Sequence, residues 1–228
     1  MDLADFKHHF SAEKAHKAQI QLSKRIIFED GLPEEVHCVA GVDAAYAGDL
    51  AIGAVAVLEY DSLDLVEVQT AMRKVAFPYV PTLLSFRELP VTLSSIRKLK
   101  TQPDVFLVDG QGFAHPYRCG FASHLGVVLG KPTIGVAKSR LVGKVGSFEG
   151  RDFAYLWHEG EIIGAMLKTS ARKPIYVSVG HMVSLETAIK IVRCCMRRGS
   201  IPEPIRMAHQ IATAERNKIR LKHSCSKM

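Results

Sequence analysis

The sequence predicts a single α/β domain in which helices flank a mixed sheet, and three observations carry that expectation. Apolar runs of strand character come first as a consecutive group and then alternate with segments of helical period, the order expected of a mixed sheet. Neither an internal repeat nor a low-complexity linker interrupts the 228 residues, so one domain over 1–228 is expected. A hydrophobic content of 47% is enough for a well-covered core.

Residues 2–30 read as helix, with Phe6, Phe10, Ile20, Ile26 and Ile27 as its apolar positions and Gly31 and Pro33 as its stop. Three strand-like runs follow at 36–46, 51–60 and 65–77, with Asp61 and Ser62 marking a tight turn between the last two, a meander. A more helical stretch from Leu83 to Lys100 is expected to break near Pro90, and the short apolar run DVFLVDG at 104–110 reads as a buried parallel strand. Helix 122–130, terminated by Gly130, leads to strand 132–139. DFAYLWHEG and EIIGAMLKT form a hairpin turning at Gly160, and PIYVSVG at 174–180 is a further strand. Ser184 is the expected N-cap of a helix carrying Leu185, Ala188, Ile189, Val192 and Met196 on one face and stopping at Gly199, and a last helix spans about 204–221. Three antiparallel strands, then alternating helix and strand, with a carboxylate closing the first and fourth strands, is by analogy similar to the order of a ribonuclease-H-like fold.

A formal charge of +7 and a pI near 9.2 favour a polyanionic partner, nucleic acid or an anionic membrane surface. After Glu215 the chain carries Arg216, Lys218, Arg220, Lys222 and Lys227 with no acid, which suits either a phosphate-contacting tail or a solvated one. No stretch approaches the roughly 20 apolar residues of a membrane span, and the N-terminal stretch lacks the apolar core of a secretory leader. Cys38, Cys119, Cys194, Cys195 and Cys225 show no CxxC spacing, and the adjacent pair would bond only with strain. A reduced, cytoplasmic, monomeric protein with no zinc site and no membrane partner is therefore expected.

Two acids invite a chemical reading. Asp43 closes VAGVD and Asp109 closes VFLVD. An acid at the end of a buried strand costs desolvation energy unless it is paired, hydrogen-bonded or bound to a cation. If the two strands are neighbours, both carboxylates reach one edge of the sheet, where they suit a hard cation such as Mg²⁺. Asp before Gly in DGQG is equally what a turn cap looks like, so the residues alone leave both readings open. Glu88, beside Arg87 in an apolar segment, fits an exposed ion pair as well as a ligand role.

The segments GVDAAY (41–46), PYVP followed by LLSFRELP (78–90), DGQGFAHPYRCGFASHLG (109–126), GVAKSRL (135–141) and PEPIRMAH (202–209) resemble, in order and spacing, those of the endonuclease V family, over nearly the whole chain. The resemblance implies a repair nuclease that recognises deaminated purine in DNA, chiefly deoxyinosine, and cuts the second phosphodiester bond on its 3′ side, leaving 3′-hydroxyl and 5′-phosphate ends. It implies Mg²⁺ as cofactor, with Mn²⁺ as a substitute, held by Asp43, Glu88 and Asp109. Lys138 matches a lysine near the scissile phosphate, and His209 a histidine that positions metal or water; a surface lysine and a structural helix histidine are what those residues would suggest unaided.

Pro78, Tyr79, Val80 and Pro81 match a wedge that stacks into the duplex while the altered base turns out into a pocket. The corresponding pocket positions are Thr82, Leu84, Gly110, Gly120 and Phe121. His115 and His124 belong to the same block, with phosphate contact and loop packing both open. Thr82 departs from the family, which usually has glycine there, and implies a narrower pocket or a stiffer loop. Val179 and Met182 also depart, from a proline and a basic residue, which implies a weaker phosphate contact near His181.

Two alternatives stand beside this reading. An enzyme of the same family acting on inosine-containing RNA would need contacts to the 2′-hydroxyl that the residues do not report. A non-catalytic nucleic-acid-binding module would have no need of all three acids.

Overall fold

The computed structural model describes residues 11–171, 173–197 and 199–225. Helix α1 spans Ala12–Ser23, and strands β1 (Cys38–Ala47), β2 (Leu50–Glu59) and β3 (Leu65–Lys74) form the predicted meander. Helix α2 (Leu84–Ile96), strand β4 (Val105–Asp109), helix α3 (Phe121–Leu129) and strand β5 (Thr133–Ala137) alternate as expected. Strands β6 (Lys144–Val145), β7 (Phe153–His158), β8 (Glu161–Leu167) and β9 (Ile175–His181) follow, then helices α4 (Leu185–Cys194) and α5 (Glu203–Cys225). One nine-stranded sheet has the order β3-β2-β1-β4-β5-β9-β8-β7-β6. Its centre is parallel, β1 with β4 and β4 with β5, and its other pairings are antiparallel.

Alternation along the central strands divides the core. Ala40, Val42, Phe106 and Val108 pack with Leu89 and Leu93 of α2 and Phe121 and Leu125 of α3 on one face. Val39, Val105 and Leu107 point to the other face, where Ile205 and Ala208 of α5 and Ala188 and Ile189 of α4 join them. The period of two that sends alternate residues to opposite faces also decides where the acids go.

α5 lies unusually close to β1. A Cβ placed on Gly41 would meet the backbone carbonyl of Pro204 at 2.0 Å, so only glycine admits the helix there. Farther along, Ala212 meets Ala45 of β1 and Ala54 of β2, and these small side chains keep the helix near the sheet.

Several expectations are corrected. The predicted helix over 2–30 falls outside the described residues up to 10, Phe6 and Phe10 included, and α1 ends at Ser23. Beyond it the backbone is claimed by tertiary partners: Met182 N–H donates to Ile27 O, Gly31 N–H to Met182 O, and Ile27 N–H to the Nδ1 of His181. Ile20 and Ile27, expected in the core, are exposed.

α2 runs unbroken through Pro90. An interior proline costs about 3 kcal/mol, and here the packing of Leu89, Val91 and Leu93 against the sheet outweighs it. α4 is capped by Ser184, whose hydroxyl accepts from Thr187 N–H, but stops at Cys194 instead of running to Gly199. The buried Cys195 gives its carbonyl to Glu203 N–H at the start of α5, which ends the turn.

Asp43 does not close its strand. β1 continues four residues past it along β2, and what stops at this level is β4. The two-residue β6 has no counterpart among the expected strands. Cys38, Cys119, Cys194 and Cys195 carry free thiols, and among the described residues no helix is long and apolar enough to cross a membrane.

Candidate active site

The β1–β4 register ends at Val42 opposite Val108, so Asp43 and Asp109 are the next residues on two adjacent parallel strands. Both share the α5 face with Gly41 and Leu107, and their side chains keep only 11% and 17% of their accessible surface. The close contact of Gly41 with Pro204 then sets where α5 delivers its own residues. His209 lies five residues beyond Pro204, about 7.5 Å along the helix, and Asp43 two residues beyond Gly41, about 6.7 Å along the strand. The two meet: His209 Nδ1 is 2.6 Å from Asp43 Oδ2. β5 supplies the fourth group, since Val136 pairs with Asp109 and Lys138 follows the strand end, its Nζ 2.5 Å from Asp109 Oδ2.

Glu88 reaches the same region from the opposite face. It is buried on α2, and its Oε1 accepts a hydrogen bond from the Tyr46 hydroxyl at 3.1 Å. Tyr46 lies three residues beyond Asp43 and carries the Arg87 guanidinium 4.5 Å above its ring. Arg87 in turn donates to the Phe77 carbonyl at 2.8 Å, which ties α2 to the loop of the expected wedge. Tyr46 is a site neighbour that the sequence reading did not single out. Its place in GVDAAY, at even spacing from Val42 and so on the α2 face, was the available signal.

Electrostatics link the three acids. Burial first, then the charge of Asp109, raises the Asp43 carboxyl, while its hydrogen bond with His209 works the other way. Burial and the charge of Asp43 push Glu88 up to about 8, against the Tyr46 hydrogen bond. Three carboxylates this close resist being ionised together. Lys138 supplies part of the compensating charge and His209 a hydrogen bond to Asp43, and both stay more than half exposed beside nearly buried acids. The donor atoms of Asp43, Asp109 and His209 all lie within 4.8 Å of one another, and oxygen-rich sets of this kind suit a small divalent cation. Of the three expected ligands, the structure therefore brings together Asp43 and Asp109 and adds His209. Glu88 is coupled to them by charge, with its carboxyl turned to Tyr46.

A cavity of about 380 Å³ opens beside this cluster, in the size range of small-ligand sites. Asp109 and Lys138 form one side of it, so the acidic cluster and the cavity share a wall. Tyr79, Val80, Pro81, Thr82 and Leu84 line a second side, and Gly110, His115, Gly120 and Phe121 a third. Every expected pocket residue is there, and Pro78 alone of the expected wedge is not in the lining. Tyr79 is 69% exposed, as a side chain meant to meet a partner would be.

Thr82 adopts φ +72°. A β-branched residue in that region is strained by about 1–3 kcal/mol and persists only where its surroundings hold it. The expected narrowing by its side chain takes a specific form, because its hydroxyl is turned to His16, 3.1 Å away.

His124 and His181 are accounted for by packing. His124 Nδ1 lies 3.1 Å from Ser85 Oγ and its ring meets Phe86 edge-on, and burial pushes it down to about 4. His181 is buried and accepts the Ile27 N–H, so it belongs to the fold and not to the site.

The sequence model of the endonuclease V family matches residues 20–210. The chain is 50% identical to the endonuclease V of Thermofilum pendens over 207 residues, covering 90% of this chain and 89% of that protein. Among solved structures it resembles endonuclease V of Streptomyces avermitilis, with a TM-score of 0.85, 38% identity and coverage of 92% and 95% of the two chains. It also resembles Ciona intestinalis endonuclease V in complex with a 24mer DNA containing an inosine followed by a ribo-adenosine, with a TM-score of 0.83, 35% identity and coverage of 91% and 98%. With the family model spanning most of the sequence and the fold shared with crystal structures of its members, the chain belongs to the endonuclease V family.

Proposed function

We propose that the chain is a metal-dependent repair endonuclease that finds a deaminated purine, chiefly hypoxanthine, in DNA and hydrolyses the second phosphodiester bond on its 3′ side. The observation that carries this reading is the shared wall: Asp109 and Lys138 belong both to the charged cluster and to the base-sized cavity. Asp43 and Asp109, with Glu88 close by in charge, are the groups that would hold Mg²⁺ or Mn²⁺, and His209 stands beside them. Such an ion, when bound, lowers the pKa of its water and offsets charge on the attacked phosphate.

The chain's own groups divide the rest of the work. With Nδ1 engaged by Asp43, His209 has Nε2 left to exchange a proton with water. Lys138 sets an ammonium where negative charge grows on the phosphate oxygens, and Asp109 holds that ammonium in place. Attack of the water oxygen on phosphorus with rupture of the bond to O3′ leaves a 3′-hydroxyl and a 5′-phosphate. Tyr79 stacks into the gap left in the duplex, and the cavity receives the extruded base.

A second reading, cleavage of inosine-containing RNA, is favoured by one observation. The related Ciona intestinalis protein was crystallised on a strand with a ribo-adenosine directly after the inosine, which places a 2′-hydroxyl in that complex. Matched DNA and RNA oligonucleotides, each with and without one inosine, incubated with Mg²⁺ or with a chelator, test both readings. Inosine-dependent, chelator-sensitive nicking is expected, with DNA cut faster. Cleavage independent of inosine or of the metal would overturn the proposal, and faster cutting of RNA would exchange the two readings.

A further inference from the structure

α1 contributes nothing to the charged cluster, yet two of its polar side chains end on the loop that leads into the cavity. Gln19 is completely buried, and its Nε2 donates to the carbonyls of Thr82 at 2.8 Å and Cys119 at 2.9 Å. Thr82 lies on one wall of the cavity, and Cys119 immediately precedes Gly120 on another. One side-chain amide therefore ties two walls together.

One turn earlier on the same helix, His16 places Nε2 3.1 Å from the Thr82 hydroxyl, and its ring is stacked on Tyr117 at 4.2 Å. A third group meets Thr82 from the segment that precedes Gly120. His115 Nε2 lies 3.0 Å from the Thr82 carbonyl, which can only accept, so Nε2 carries the proton. Its Nδ1 accepts the Tyr117 N–H at 3.2 Å, so both ring nitrogens are committed with the imidazole neutral. Thr82 thus has two donors on its carbonyl and a partner for its hydroxyl, at the φ of +72° that a threonine does not hold unaided.

Gln19 itself points to a purpose beyond packing. Its Oε1 is buried and has no hydrogen-bond partner among the described residues. The amide cannot turn to relieve this, since both facing carbonyls need a donor. The orientation of the Gln19 amide is therefore fixed by the two carbonyls it serves.

We infer that Gln19 and His16 are positioning residues for the base cavity, which act through Thr82 to hold the Tyr79–Leu84 loop and the Gly120 wall at one separation. The inference deepens the proposed function and rests on it for the identity of the base. It also bears on base choice. The Thr82 carbonyl is taken up by Gln19 and His115, and the Cys119 carbonyl is turned to Gln19, so the lone pairs they aim at the clamp are not offered to a base. An exocyclic amino group, as on adenine, gains nothing from them, whereas the carbonyl of hypoxanthine escapes their repulsion. Release of the clamp frees both carbonyls and should blur that distinction.

Gln19→Met keeps the length of the side chain and removes the donor. Hydrogen exchange in peptides covering 79–84 should quicken by about 10-fold or more, while peptides from β1 and β4 exchange as before. The ratio of cleavage at inosine to cleavage at adenosine in the same sequence should fall by about 10-fold. In a Thr82→Gly background, where glycine takes the left-handed conformation freely, the same change should alter loop exchange by less than about 3-fold.

Unchanged loop exchange in Gln19→Met overturns the inference. So does an equal loss of both cleavage activities, the mark of a simple packing defect, or an undiminished effect in the Thr82→Gly background. If the unaltered protein leaves inosine-containing strands uncut, the functional reading fails, and the exchange contrast still decides the clamp.

Discussion

A methyl group added at Gly41 tests how α5 is held over the carboxylates. The new Cβ would lie 2.0 Å from the Pro204 carbonyl carbon and oxygen and 2.5 Å from Ile205 N, all backbone atoms that no rotamer change can move aside. Restoring an ordinary contact of 3.4 Å requires the helix to retreat by roughly 1.4 Å at that point. Carried along the helix, the same shift lengthens the 2.6 Å pairing of His209 with Asp43 to about 4 Å, outside hydrogen-bond range. Overpacking of this kind costs about 1–3 kcal/mol, and a misplacement of about 1 Å at a catalytic group costs about 10²-fold in rate.

The assay is single-turnover nicking of an inosine-containing oligonucleotide with Mg²⁺, measured beside the melting temperature. Gly48→Ala is the control: it strains a residue at φ +62° but meets nothing within 4 Å, so it should lower stability and leave nicking intact. Nicking by Gly41→Ala at the unaltered rate, or losses in the two variants that track their melting temperatures alike, would refute the claim that this contact sets the position of His209.

The site was legible where chemistry conflicts with local environment. Asp43 and Asp109 stand out as acids ending apolar runs, and the parallel pairing that brings them together follows from the short β4, apolar up to Asp109. What local pattern could not supply is the pairing between distant segments. His209 looks like a flank residue of an amphipathic helix until Gly41 and Pro204 are seen to interlock. Gln19 is a polar residue on a helix whose isoleucines suggested the buried face. The structure inverts that choice, because Ile20 faces outward while Gln19 meets two backbone carbonyls that only a donor can satisfy. The end of α1 was misjudged for a related reason: residues 27–31 satisfy their backbone against Met182 and His181, partners more than 150 positions away. Pro90 shows the opposite failure, since a strong local rule gave way to packing against the sheet. Glu88 was recoverable only through resemblance, because a glutamate beside an arginine on a helix is ordinary, and its burial comes from the sheet beneath it.

Asp43→Asn and Asp109→Asn should each abolish nicking while gel-shift affinity for the oligonucleotide survives or rises, because the lost charge holds the metal and repels phosphate; normal nicking by either would sink the metal assignment. Lys138→Ala and His209→Ala should slow turnover by about 10²-fold with little change in melting temperature, since both side chains are more than half exposed. Tyr79→Ala should cost more on inosine-containing duplex than on single strands, as base–aromatic stacking worth about 1–3 kcal/mol is needed mainly to offset unstacking; equal losses on both would remove the wedge role. The last prediction concerns acid. Burial pushes His124 down to about 4, against about 6.5 in an unfolded chain. The folded state therefore favours the neutral ring, and this contribution is complete above pH 6.5 and lost as pH falls toward 4. Between pH 7.5 and pH 5 the loss from one such histidine is about 2 kcal/mol. Glu88, raised to about 8, has the opposite slope and destabilises the metal-free protein as pH rises, so the total curve mixes the two. His124→Gln separates them: urea unfolding of both proteins at the two pH values, with a chelator present, should show their stability difference shifting by about 2 kcal/mol in favour of the variant at pH 5. Parallel curves would mean that burial does not hold the ring neutral in the folded state.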